Sequence, residues 1–171
     1  MTMLLLLVFL SLNLQKGIAV WPTPQHHETY HQEPLIHLTK NFIITTTNNN
    51  TSSTVLTSTL KRYKALFHNV ITKPPPINNS SDTTTTTVPL RHININLPPD
   101  QYSNDILNII HTSVAYNLTI SIVNTSFALA TVKANTIYGV SHALETLLQL
   151  FYHNSTSYPI HIEDKPNFPW R

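Results

Sequence analysis

His27-Glu28-Thr29-Tyr30-His31 has the spacing with the most obvious chemistry in this sequence. On a helix, H-E-x-x-H turns two imidazoles to one side to ligate zinc and leaves the carboxylate as a general base. Here the segment lies between Pro24 and Pro34 and offers almost no apolar positions to bury a helix. It reads as a solvated linker with an accidental match, and no metal site is expected. Glu163 and Asp164 are adjacent acids, the residue type that glycosidases pair across a scissile bond. Neighbours in an extended segment point to opposite sides, so these two suit a turn or junction instead. Glu145 and Gln149 sit one helical turn apart and read as structural, bonding each other or an adjoining domain. There is no G-x-S-x-G turn to expose a serine nucleophile and no Cys for a thiolate. No catalytic residue and no cofactor follow from these patterns.

Bulk properties narrow the class. A chain of 171 residues, 41% hydrophobic and 11% charged, is sized and composed for one globular domain with a genuine core. A formal charge of +2 is too small to suggest a nucleic-acid or anionic-membrane partner. Ten His residues make the net charge climb as pH falls through the histidine range, which suits an acidic compartment. With no Cys, packing alone must hold the domain.

The apolar run Met3 to Leu12, followed by Gly17-Ile18-Ala19, has the form of a signal peptide cleaved after Ala19. The run is too short to span a membrane. The mature chain would begin near Val20, in the secretory pathway, bound for the extracellular space or apoplast or for a vacuole or lysosome-like organelle. Asn49, Asn50, Asn78, Asn79, Asn117, Asn124 and Asn154 lie in N-x-Ser/Thr sequons, so a glycosylated surface is expected at those positions.

The elements that must position these groups follow from periodicity. Leu56, Leu60, Tyr63, Leu66, Phe67 and Val70 recur at helical spacing and predict an amphipathic helix that stops before Pro74. Phe42 to Thr46, Val88 to Leu97, Asn117 to Val123, Phe127 to Val132 and Ile160 to Ile162 read as strands. Asn124-Thr125-Ser126 is a short hairpin connection. Ile137, Val140, Ala143, Leu144, Leu147, Leu148 and Phe151 form the cleanest 3.6-residue stripe, with Asn135 or Thr136 as its cap. The stretch from Pro74 to Thr87, Pro, Asn, Ser and Thr apart from Ile77 and Asp82, is a solvated loop. With only two Gly in the chain, some turns must be built from Asn. The expected fold class is α+β: a small, mostly antiparallel sheet with two helices packed on one face.

Several of these pieces together resemble one family. Ala134 to Leu150, A-N-T-I-Y-G-V-S-H-A-L-E-T-L-L-Q-L, resembles the A-x-T-x-x-G-x-x-x-x-L-E-T-x-x-Q-L segment of family 20 β-N-acetylhexosaminidases. Ile162 to Arg171, I-E-D-K-P-N-F-P-W-R, resembles the D-x-P-x-F-x-x-R junction that leads into that family's barrel. Trp21-Pro22-Thr23-Pro24 is similar to the start of the mature enzyme, especially of the plant type, and Arg62-Tyr63 to a pair in its first helix. The chain departs from the pattern at Val140 to Ala143, where the family usually has Gly or Ala and a basic residue.

The resemblance implies a signal peptide over 1–19, an N-terminal α+β domain over 20–165 and a junction over 166–171. It also implies a TIM barrel beyond the chain that does the chemistry. The family removes terminal β-linked N-acetylhexosamine with retention: the substrate's acetamide attacks the anomeric carbon, an Asp orients it and the adjacent Glu protonates the leaving oxygen. That Asp-Glu pair belongs to the barrel. One substrate-binding position carries over, the junction Arg at Arg171. The expectation is a fragment inactive alone, with the barrel as its natural partner. The alternative is a secreted module that binds glycans or a full-length hexosaminidase.

Overall fold

The computed structural model describes residues 23–29, 34–47, 53–72, 87–98, 113–152, 156–157 and 159–165. Among the described residues, seven strands and two helices follow in the order β1 (His26–Thr29), β2 (Leu35–Thr46), α1 (Thr54–Thr72), β3 (Thr87–Asn96), β4 (Tyr116–Val123), β5 (Phe127–Ala134), α2 (Ile137–Tyr152), β6 (Thr156–Ser157) and β7 (Ile160–Asp164). The strands form one sheet in the order β1-β7-β4-β5-β3-β2-β6.

The α+β class and both helices agree with the sequence reading; the strand directions correct it. Parallel pairs β2–β3 and β3–β5 occupy one half of the sheet, and β4–β5, β4–β7, β1–β7 and β2–β6 are antiparallel, so the sheet is mixed. The cause is α1. A helix between two neighbouring strands returns the chain to the end of the sheet from which it left, which makes β2 and β3 parallel.

Strand alternation sets the two faces. Tyr116, Leu118 and Ile120 of β4, Ala128, Ala130 and Val132 of β5, Ile93 and Ile95 of β3, and Ile160 and Ile162 of β7 are buried under the helices. The small β5 alanines let α2 lie close, and Val140, Ala143, Leu144, Leu147 and Phe151 fill the layer above them. From α1, Leu56, Tyr63, Phe67 and Val70 enter the same core, with Phe67 edge-on to Phe42 at 5.6 Å between ring centroids. The other face carries Asn94, Asn96, Asn117, Thr119, Thr131, His161 and Glu163, all accessible to solvent. Among the described residues no helix is long and apolar enough to cross a membrane.

Two readings of the N-terminal part change. The segment taken as a linker contains β1, which pairs antiparallel with β7 and forms the sheet edge. In a strand His27 and Glu28 point to opposite faces, so they cannot share a zinc-protease site; His31 lies outside the described residues. The strand expected over Phe42 to Thr46 is the second half of a twelve-residue strand, interrupted by an irregularity between Leu38 and Ile43.

Candidate functional site

The segment from Ala134 to Leu150 is where sequence and structure say most about each other. Thr136 caps α2: its hydroxyl oxygen accepts the Gly139 N–H at 3.1 Å and donates to the Ser113 carbonyl, tying the helix start to the stretch before β4. A Cβ on Gly139 would stand 2.6 Å from the Ala115 carbonyl oxygen and 3.0 Å from Ala134 Cβ. Gly at 139 and a small residue at 134 therefore let the first turn of α2 touch the sheet.

Glu145 accepts a hydrogen bond from the Tyr63 hydroxyl at 3.0 Å, and Ser141 lies 3.4 Å from the same hydroxyl. This links α2 to α1, while the Arg62 guanidinium lies 5.7 Å from the Tyr63 ring centroid. Burial raises the Tyr63 phenol above its ordinary pKa; the Ser141 hydrogen bond opposes that shift, and the Glu145 charge and hydrogen bond add to it. Thr146 shares a buried 2.6 Å hydrogen bond with the Tyr116 hydroxyl, joining α2 to β4. These residues pack and orient α2. None is arranged as an acid–base or nucleophile–base pair.

A cavity of about 650 Å³ lies where β3, β5 and β7 end and β4 begins. Asn96, Asn117, Lys133, Asn135, Glu163 and Lys165 line it among others. Glu163 is exposed and accepts a 2.9 Å hydrogen bond from Asn117, whereas Asp164 is 3% exposed on the opposite face. The adjacent acids therefore diverge, as their extended backbone requires, and they cannot flank one glycosidic bond. They lie within β7 rather than in a turn. No group of three or more His, Asp or Glu among the described residues is placed to hold a metal ion.

Two of the seven sequon asparagines fall among the described residues. Asn117 is half-buried in β4 and its carboxamide is engaged by Glu163. Asn124 is exposed at the β4–β5 hairpin, where Asn124 and Thr125 have φ of 49° and 59°, a left-handed pair at the centre of a turn closed by the Ser126 N–H donating to the Val123 carbonyl. Asn here does the work expected of a turn glycine. Asn49, Asn50, Asn78, Asn79, Asn154 and Arg171 lie outside the described residues.

The family comparison supplies the remaining observation: residues 20–150 match the family described as beta-acetyl hexosaminidase like. The chain belongs to that family. Among curated proteins no sequence matches significantly. Among solved structures, the fold is similar to a GH20 exo-β-N-acetylglucosaminidase from Vibrio harveyi crystallised with N-acetylglucosamine, at 17% identity and a TM-score of 0.51. That match covers 88% of this chain and 19% of the Vibrio chain. CpGH84D is similar at 11% identity and a TM-score of 0.54, over 91% of this chain and 25% of its own. The chain thus spans about a fifth to a quarter of the length of these relatives. At such identities the likeness establishes the fold alone, and the family match makes it a hexosaminidase-like N-terminal domain. In this hexosaminidase-like domain, the family-resembling helix is a packing element with its polar side chains spent on caps and interhelical bonds.

Proposed function

We propose that this chain is the non-catalytic N-terminal domain of a family 20 β-N-acetylhexosaminidase, whose intact protein removes terminal β-linked N-acetylhexosamine from glycans or glycoconjugates. The domain supports the catalytic barrel and does not itself hydrolyse glycosides. The observation that carries this reading is the Ala134–Leu150 segment: Thr136, Gly139, Glu145 and Thr146 all serve helix placement. Glu163 and Asp164, the adjacent acids, face opposite sides of β7, which fits chemistry housed in a barrel. Arg171, at the junction-like end, is the one residue proposed to reach a sugar, through its hydroxyls once a barrel positions it.

The protein is proposed to travel the secretory pathway behind the 1–19 leader and to work in a vacuole, a lysosome-like organelle or the extracellular space. Asn124 is the best-presented glycan acceptor among the described residues, because its side chain stands exposed at a hairpin tip.

The test is a fusion of this chain, through Arg171, to a family 20 barrel deprived of its own N-terminal domain. Recovery of soluble, active barrel supports the scaffold role. A barrel equally soluble and active without the domain removes it. Retention of free glycans by the isolated chain would favour a binding module instead.

A further inference from the structure

Two neighbouring strands are irregular at the same level of the sheet. The β2 register against β3 breaks between Leu38 and Ile43, and the β3 register against β5 breaks between Leu90 and His92. Leu90 and His92 each have a register partner on both neighbouring strands, so Arg91 is the extra residue of β3. The Thr39 hydroxyl donates to the Leu90 carbonyl at 3.0 Å and stitches the two irregularities together. Successive residues of a regular strand point to opposite faces, and an extra residue suspends that rule. Here it gathers Arg91 and His92 around one ring. The Arg91 guanidinium carbon lies 5.9 Å from the Phe127 ring centroid, and the His92 ring centroid lies 5.8 Å from it. A cavity of about 460 Å³ opens beside them, lined by Arg91, His92, Thr39, Asn41, Ile43 and Pro89. Ile43, the β2 partner of His92, is 53% exposed, so this cavity offers apolar surface to whatever enters.

The charge around this cavity has one sign. Acids among the described residues stand on β1 (Glu28), α2 (Glu145) and β7 (Glu163 and Asp164). By contrast β2 carries Lys40, β3 Arg91 and β5 Lys133, with no acid on any of the three strands. Since β3 lies between β2 and β5, no described acid belongs to a strand beside Arg91. A guanidinium presents its N–H groups as a flat fork that matches the two oxygens of a carboxylate. The Asn41 carboxamide and an imidazole N–H of His92 add donors, while Ile43 and Pro89 suit hydrocarbon next to the anionic head.

We propose that Arg91, His92, Asn41, Ile43 and Pro89 form a binding site for a small organic carboxylate. Arg91 takes the carboxylate in its fork, and the apolar body of the ligand lies against Ile43 and Pro89. A bare inorganic anion fits less well, because half of this wall has nothing to offer a hydrated ion. The site goes beyond the scaffold role and does not depend on it: β4 and β5 separate β3 and β2 from β7, the strand that leads to the junction.

Titration of the full chain with sodium hexanoate, followed through amide NMR shifts, tests the site. Chloride, phosphate and sulfate are titrated alongside at a matched ionic strength of about 0.15 M. Hexanoate should give saturable shifts centred on Asn41 to Ile43 and on Arg91 and His92, and leave the amides of β7 unmoved. Arg91→Lys keeps the charge but loses the planar fork, so it should weaken hexanoate binding roughly tenfold or more. Ile43→Thr, at an exposed position of a β-branched run, serves as a second variant and should weaken hexanoate more than acetate. Unchanged β7 shifts report that each variant has kept its fold. The site is overturned by hexanoate shifts that do not saturate, or that phosphate, sulfate or chloride reproduce with equal affinity. Binding undiminished in both variants overturns it as well.

Discussion

The Tyr63 hydroxyl donates to Glu145 at 3.0 Å, joining two helices through residues 82 positions apart in the chain. Tyr63 belongs to the Arg-Tyr pair of α1 and Glu145 to the L-E-T motif of α2, so one hydrogen bond accounts for two separate family-like features. Tyr63→Phe keeps the ring in the core and removes the donor to a carboxylate. It should cost about 1.5–3 kcal/mol, read as a lower midpoint in urea or thermal unfolding with an unchanged slope. Ser141→Ala, which removes only the longer 3.4 Å contact, should cost less.

The same phenol gives a pH signature. Burial raises its pKa in the folded protein, so the unfolded chain loses the Tyr63 proton first as pH climbs. The stability tied to this group is complete below the ordinary tyrosine range and is lost as pH rises through the folded value. In ultraviolet titration a phase above the ordinary tyrosine range should be present, and Tyr63→Phe should remove it.

Gly139→Ala tests the close approach of α2 to the sheet. An alanine favours a helix over glycine by about 0.8–1 kcal/mol. Here its Cβ would meet the Ala115 carbonyl oxygen at 2.6 Å, a backbone atom that cannot swing away. Net destabilisation of about 1–3 kcal/mol is expected by chemical denaturation. A stabilised protein would mean that α2 does not sit where described.

Glycan mapping tests the hairpin. After secretion from a eukaryotic host, enzymatic deglycosylation in heavy-oxygen water should label Asn124, and Asn124→Gln should lose one glycan's mass while keeping its melting temperature. An unlabelled Asn124 beside labelled sequons elsewhere would remove this site alone.

Much of this architecture was legible from periodicity. The stripes at Leu56–Val70 and Ile137–Phe151 are α1 and α2, because a wide apolar stripe at 3.6 spacing has few other ways to be buried. The Asn124 hairpin was legible because it is local. Strand direction was not, since alternation tells which face is buried and not which strand lies alongside. The first half of β2 escaped notice because the irregularity after Leu38 places Thr39, Lys40 and Asn41 before Phe42 and breaks the alternation. β1 escaped because His26 to Thr29 has no apolar residue; its pairing with β7 brings together positions that no local pattern connects. Glu145 was recognised as structural, but its partner Tyr63 lies in another helix, beyond the one-turn neighbours that helical spacing suggests.

The central claim is that this hexosaminidase-like domain is scaffold. Incubating the purified chain with chromogenic β-N-acetylglucosaminide and β-N-acetylgalactosaminide across pH 4 to 8 tests it most directly, at roughly the range over which histidines and carboxylates titrate. No release above the uncatalysed background is expected at any pH. Saturable turnover that survives repurification would contradict the account and place catalytic groups within this chain.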